Sequence, residues 1–497
     1  MGKKVLYLLV LVFIFYSSHS LFAQNDKYKV IKGERHSFDF RRIDKENYYQ
    51  NRLRIKIYAD YEKHVNNEQI VNHHIFGIES LDLITKQLDL KGIKPVFPSD
   101  ILKSGYSERH KAWGFHLWYE FELTKDQDIV SLVDKYSSLQ EIEIVEPVFK
   151  KMLIDYEPDQ LTILDEVNDY NNVANKWSPN DPRLNEQWHY SNTGQQGGTI
   201  GADIDLFSAW EIQKGNPDVI VAVIDGGIDY NHEDLEQNMW SGIGYNFVTN
   251  SEIIEPHNHG THVAGTISAV NNNGTGVSGI AGGSGGGNGV RLMSCQVYTS
   301  YTNGGFAPAM VWAADNGAVI SQNSWGYTEE GYYEQAVLDA IDYFNQNAGS
   351  DLGSLLSGGI TIFAAGNKGV SGQIYPQCYS GVIAVAATNN QDIISDYSNY
   401  DTWVDISAPG GETQPVQSRG VLSTLTGNKY GFLHGTSMAC PHVSGVAALV
   451  ISHVPGLLTA AELKDILLET TDNHYPLNPG YEGMLGTGRL NAAKALI

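Results

Sequence analysis

The chain has 497 residues, with 33 Lys or Arg against 57 Asp or Glu, a formal net charge of −24. At 42% hydrophobic and 18% charged it is too apolar for a disordered chain and long enough for about two to four domains. The acidity speaks against a nucleic-acid binder, which needs Lys and Arg to displace phosphate counterions.

In chain order, the first feature is Lys3-Lys4 followed by the apolar run Val5–Tyr16 and small or polar residues to Ala23. This is the pattern of a secretory signal peptide over 1–23, removed on export to a secreted or periplasmic address. The run is short for a membrane span of about 20 residues. No later stretch is long enough, so the mature form is expected without a span. Leu53–Tyr58 and Phe115–Leu123 alternate apolar and polar residues as half-buried strands do. Asp128–Leu139 has helical spacing and Glu141–Met152 alternates again, so strand, helix and strand near 115–152 predict a small α+β module with no catalytic constellation. Asp155–Pro179, rich in Asp, Asn and Glu, reads as a linker. Residues 1–175 hold 23 basic and 27 acidic side chains, and residues 176–497 hold 10 and 30.

From 176 onward, continuous apolar runs at 219–224, 290–297, 318–320, 360–365 and 382–387 alternate with helical segments at 261–270, 307–316, 332–347, 437–453 and 460–471. Runs buried on both faces predict an α/β fold with a mostly parallel central sheet between helical layers. Thr459 and Glu462 form a capping box at the last helix. Cys295, Cys378 and Cys440 are an odd count without C-x-x-C spacing, and Cys295 and Cys440 read as small core residues. Gly282–Gly287 lacks the Lys-Ser/Thr of a phosphate loop and reads as a flexible surface connection. Glu329-Glu330 reads as a solvated face.

In such sheets, sites form beyond the carboxyl ends of the strands. Asp225 ends the first run, His257, His259 and His262 fall within six residues before a helix, and Ser437 opens a long helix. Singly, the Asp could cap a helix, the histidines could ligate a metal, and the Ser could be a cap. Together they supply a nucleophile, a base to take its proton, and a carboxylate to orient that base.

The segments VAVIDGGIDYNHEDL, HNHGTHVAGTI and HGTSMACPHVSG resemble the three signature blocks of the subtilisin-like serine peptidases. SQNSWG, IFAAGN, ISAPGG and GTGRLNAAKAL extend the resemblance over nearly all of 180–497. It implies a three-layer subtilisin-like domain over 176–497 and a serine endopeptidase acting through an acyl-enzyme. Asp225 would orient, His259 would be the general base and Ser437 the nucleophile. Asn367, with the Ser437 N–H, would hold the oxyanion, and Ser324, Trp325 and Gly326 would pair with the substrate backbone. Trp325 is large where the family varies, and Gly226 stands where most relatives have Thr or Ser. Pro441 is read as tolerable because early helical N–H groups lack partners.

The resemblance implies no catalytic cofactor, and structural calcium at Asp234 with Asn272. It makes 24–175 a propeptide region and linker that folds and blocks the domain before self-processing removes it. Protein or peptide substrates and a monomer are expected. The rival readings are a metal-dependent hydrolase using His257, His259 and His262, and an inactive binding module.

Overall fold

Apolar runs with no polar alternation can be buried only where helices cover both sheet faces, and the C-terminal half is built that way. The computed structural model describes residues 28–154, 162–163, 176–351 and 353–497. The expected signal segment at 1–23 and most of the expected linker lie outside the described residues.

The N-terminal module contains β1 (Tyr48–Ile57), α1 (Asn67–His73), α2 (Glu79–Thr85), β2 (Leu90–Pro95), α3 (Ser107–Ala112), β3 (Trp118–Leu123), α4 (Ile129–Ser137) and β4 (Ile142–Phe149). Its four strands form an antiparallel sheet in the order β2-β3-β1-β4. Helix α4 starts where Asp128 accepts the Ser131 N–H, and it buries Ile129, Leu132, Val133 and Tyr136. The stretch expected as one strand over 141–152 is two. After Lys150 the chain leaves this sheet, and β5 (Lys151–Leu153) pairs in the other half of the protein.

The C-terminal half contributes β6 (Thr162–Ile163), α5 (Leu206–Trp210), β7 (Ile220–Gly226), β8 (Met239–Asn246), α6 (Asn258–Ser268) and β9 (Arg291–Tyr298). It continues with α7 (Phe306–Asp315), β10 (Ile320–Asn323), β11 (Trp325–Tyr327), α8 (Gln335–Asn347), β12 (Ile360–Ala364), β13 (Ile383–Thr388) and β14 (Ile406–Pro409). Last come β15 (Val421–Leu425), β16 (Lys429–Leu433), α9 (Thr436–His453), α10 (Ala460–Glu469) and α11 (Ala492–Ala495). Seven strands form a parallel sheet in the order β14-β13-β12-β10-β7-β9-β8.

Side chains alternate across it as the pleat requires. Val221 and Val223 of β7 enter the core shared with α6 and α9, whereas Ala222 and Ile224 enter the core shared with α7 and α8. That second core is continuous with the N-terminal module, which therefore lies over α7 and α8. Charge follows the same contact. Lys32 and Arg35 reach Asp339 at 2.9 and 2.8 Å, Arg54 reaches Glu334 at 2.7 Å, and Arg109 and His110 both reach Asp315 at 2.7 Å.

The capping box of α10 is present, and all three cysteines are free, with Cys295 and Cys440 buried. The 282–287 connection differs from expectation at its start. A Cβ on Gly282 would stand 1.8 Å from the Ala269 carbonyl oxygen, so that glycine is packed in place. Among the described residues no helix is long and apolar enough to cross a membrane.

Candidate active site

Asp225 lies near the carboxyl end of β7, where the strand leaves the sheet. Its Oδ1 accepts from the Gly226 N–H at 2.6 Å and meets His259 Nδ1 at 2.7 Å, with both side chains buried. A carboxylate at Nδ1 holds the ring's proton there and leaves Nε2 as the basic nitrogen. Gly226 is explained by its neighbour. A Cβ at this position would fall 2.6 Å from His257 Cβ, so His257 fills the space a Thr or Ser would need. The His257 Nδ1 also accepts the His259 N–H at 3.2 Å, capping α6 and so fixing the turn that carries His259.

Ser437 is the second residue of α9, where backbone N–H groups have no carbonyl one turn back. Pro441 is the sixth residue of that helix, beyond the first turn, so its tolerance has a different cause from the one expected. The carbonyl its missing N–H would have served is that of Ser437, and Ser324 Oγ donates to it instead at 3.2 Å. Asn367 follows β12. Its Oδ1 accepts from both the Thr436 N–H at 2.9 Å and Thr436 Oγ1 at 2.7 Å. This fixes which way the amide faces, and Asn367 Nδ2 is left buried with no partner among the described residues.

The expected substrate strand is already paired. β5 runs antiparallel to β11, with Leu153 opposite Trp325, Met152 opposite Gly326 and Lys151 opposite Tyr327. The Ile154 N–H donates to the Ser324 carbonyl at 2.9 Å, and Ser437 Oγ hydrogen-bonds the Ile154 carbonyl oxygen. Trp325 itself points into the core, packed on Phe306 and Phe363. A cleft of 520 Å³ opens beside Ile154, lined by Gly326, Gly366, Asn367, Ile374 and Gln377. Glu329 and Glu330, read as a solvated face, are exposed but stand at its rim, where Glu329 pairs with Lys368 at 3.1 Å.

The three histidines do not converge. His259 meets Asp225, and His257 caps α6. His262 Nε2 lies 3.0 Å from the Val421 carbonyl and 3.2 Å from that of Gly431, and burial pushes its pKa down to about 3. Among the described residues no three His, Cys, Asp or Glu side chains gather as a metal site.

Asp234 and Asn272 are not brought together. The Asn272 carboxamide bonds Asn180 and Ser284, and it is Asn273 Nδ2 that donates to Asp234 Oδ1, at 2.8 Å. Asp234 Oδ2 accepts the Val277 N–H at 2.9 Å, while Asp181 accepts the N–H groups of Asn272 and Asn273 on the same loop. Burial drives the Asp234 carboxyl well above its ordinary range, with Asp181 adding like charge. Two carboxylates from separate segments meet the 271–277 loop, a hard-oxygen pair whose repulsion a divalent cation would relieve, so Asp181 and Asp234 fit calcium.

A profile of the subtilase family matches residues 216–488. The chain belongs to the subtilase family. Among its relatives, the thermophilic serine proteinase of Bacillus sp. (strain AK1) is 36% identical over 280 residues, covering 56% of this chain and 60% of that protein. Thermitase of Thermoactinomyces vulgaris is 32% identical over 325 residues, covering 64% of this chain and 99% of that protein. The chain spans 60%, 57% and 41% of the length of three curated relatives it matches. The crystal structure of fervidolysin from Fervidobacterium pennivorans superposes with a TM-score of 0.59 at 21% identity, covering 94% of this subtilase and 63% of that chain. The three-layer α/β architecture expected from the sequence is therefore the family's own.

Sequence reasoning missed Lys151–Ile154, Thr436 and Glu334. The only signal for the first was its place directly before the acidic linker.

Proposed function

We propose that this subtilase is an exported serine endopeptidase made as a zymogen that cuts its own Ile154–Asp155 bond. The observation that carries this is the placement of the Ile154 carbonyl against Ser437 Oγ while Ile154 is held as an added strand. In this reading, 24–154 is the propeptide and 155–175 the start of the released chain. The charged, apolar N-terminal segment would direct export to a secreted or periplasmic address.

The chemistry follows from the positions. Ser437 Oγ adds to the Ile154 carbonyl carbon as its proton passes to His259 Nε2. Asp225 stabilises the imidazolium that forms. Negative charge collects on the former carbonyl oxygen, where Asn367 Nδ2 and the Ser437 N–H receive it. The C–N bond then breaks and His259 returns the proton to the Asp155 nitrogen, leaving an ester between Ser437 and Ile154. Water, deprotonated by His259, hydrolyses the ester and frees the Ile154 carboxylate. Other protein or peptide substrates follow the same course once the propeptide leaves. Calcium on Asp181 and Asp234 would supply cross-linking charge to the 271–277 loop and take no part in these steps.

The test compares wild type with Ser437→Ala. Wild type should yield a mature chain beginning at Asp155 and react with a fluorophosphonate at Ser437, while Ser437→Ala stays at full length. Processing of purified Ser437→Ala at the same bond would remove self-cleavage from the account. A wild type that neither hydrolyses casein nor takes the label would favour the inactive binding module.

A further inference from the structure

Lys151 stands three residues before the bond assigned to self-cleavage, and its side chain is almost fully buried. Its Nζ lies 2.7 Å from Glu334 Oε2, and neither side chain exposes more than 2% of its surface. The same ammonium sits over two aromatic rings, 5.0 Å from the centroid of Phe306 and 4.9 Å from that of Tyr327. Its backbone is held as well, since Asn303 Nδ2 donates to the Lys151 carbonyl at 3.1 Å.

Glu334, Phe306, Tyr327 and Asn303 all belong to the half that remains after cleavage. The groups on the other side of Glu334 do not. Its carboxylate is bonded by Lys151, by Arg54 Nη1 at 2.7 Å and by the Phe149 N–H at 2.8 Å, all three from the N-terminal module. Glu334 is the N-cap residue of α8, yet it makes no side-chain cap bond, and Glu146 of the module takes the Gln335 N–H instead. When the module departs, the Glu334 carboxylate loses both the cations and the cover that the module supplied. A chain that docks there covers the carboxylate again, and one that brings a cation is favoured because an unpaired carboxylate under that cover is costly.

We propose that the mature enzyme keeps this pocket as a cation-selective subsite, in which Glu334, Phe306 and Tyr327 select Lys or Arg four residues before the cut, counting the residue at the cut as the first. The inference rests on the endopeptidase reading above and adds a sequence preference to it. Arg54 competes for Glu334 in the zymogen, where burial and this like charge push the Lys151 ammonium down to about 8 against the pull of Glu334. In the mature enzyme Arg54 is gone, so a substrate cation has Glu334 to itself. Arg should serve at least as well as Lys, because its planar fork stacks on rings and stays charged.

The experiment uses mature enzyme obtained by its own processing, with internally quenched peptides sharing Met-Leu-Ile-Asp across the cut and Lys, Arg, Leu or Glu before the Met. The expected result is kcat/KM about tenfold or more higher for Lys and Arg than for Leu, with Glu lowest. In Glu334→Gln the Lys-to-Leu ratio should fall toward one. Equal cleavage of the Lys and Leu peptides by wild type overturns the subsite and leaves the peptidase reading intact. Cleavage of none of the four, with casein also untouched, overturns the peptidase reading itself. Glu334→Gln also loses two propeptide anchors, and should it fail to mature, the wild-type ranking decides alone.

Discussion

Thr436 sets the orientation of Asn367, the oxyanion donor of the proposed mechanism. Its hydroxyl and N–H both give hydrogen bonds to Asn367 Oδ1, and its Oγ1 in turn accepts the Gly366 N–H at 3.0 Å. An Asn side chain has one accepting and one donating end, so saturating Oδ1 leaves Nδ2 as the donor that the proposed mechanism assigns to the oxyanion. Deleting an oxyanion donor outright costs about 10²–10³ in rate. Thr436→Val keeps the shape and the backbone N–H but removes the hydroxyl, so kcat should fall about tenfold with KM unchanged. Thr436→Ser should restore most of it. A Val variant whose kcat is untouched would leave the hydroxyl a purely structural role. Asp225, His259 and Ser437 stood out in the sequence because each sits in a dense local motif. The aim of Asn367 did not, because its orienting partner lies 69 positions away. The rival reading of three histidines as metal ligands rested on spacing alone, whereas one packs on Gly226, one meets Asp225 and one meets backbone carbonyls.

At the scale of elements, periodicity was a good guide to strands buried on both faces and a poor one to what pairs with what. The runs behind β7, β12 and β13 were legible because they are almost wholly apolar, whereas that behind β9 carries Arg291, Ser294 and Gln296 and the run at 318–320 meets β10 only at Ile320. The outer strands β8 and β14 were missed, since β8 is only partly buried and β14 is four residues ending in a proline. Glu141–Met152 reads as one strand-like stretch, yet the chain changes sheets at Lys150, because alternation records the pleat and carries no information about the partner strand. The 271–277 loop has the opposite character. Its geometry depends on charges from two distant segments, Asp181 and Asp234, which the sequence offered only as isolated acids. Calcium bound there at a hundred times its Kd would add about 2.7 kcal/mol to folding stability. Chelation should then lower the Tm of the mature domain by roughly 4 °C, an effect that Asp234→Asn abolishes and scanning calorimetry reads. Equal Tm with calcium and with EGTA would show that the loop's own hydrogen bonds suffice.

Over the whole molecule, the uneven charge is in part a contact between the halves. Acidic residues of the C-terminal half at 315, 334 and 339 meet basic residues of the N-terminal module at 32, 35, 54, 109 and 151 across a largely buried face. One group there carries the wrong sign. Glu146 belongs to the module and is buried beside Glu334, and burial, with that like charge, raises its carboxyl to about 8, although Arg54 and the Gln335 N–H oppose the shift. Once released into water, Glu146 would return to about 4.3. The attached state therefore binds the extra proton. Its contribution to attachment is full below the ordinary carboxylate pKa and is lost as pH rises through about 8. Lys151, lowered to about 8, acts in the opposite direction only above that value, so the two do not cancel between pH 5 and 8. After self-cleavage, the propeptide should dissociate from the mature domain roughly tenfold more readily at pH 8 than at pH 6, followed by gel filtration of the nicked complex. Glu146→Gln is neutral at both values and should flatten that dependence. A complex equally tight at pH 6 and 8 in the wild type would mean that Glu146 stays ionised in place and that departure is governed by the ion pairs alone.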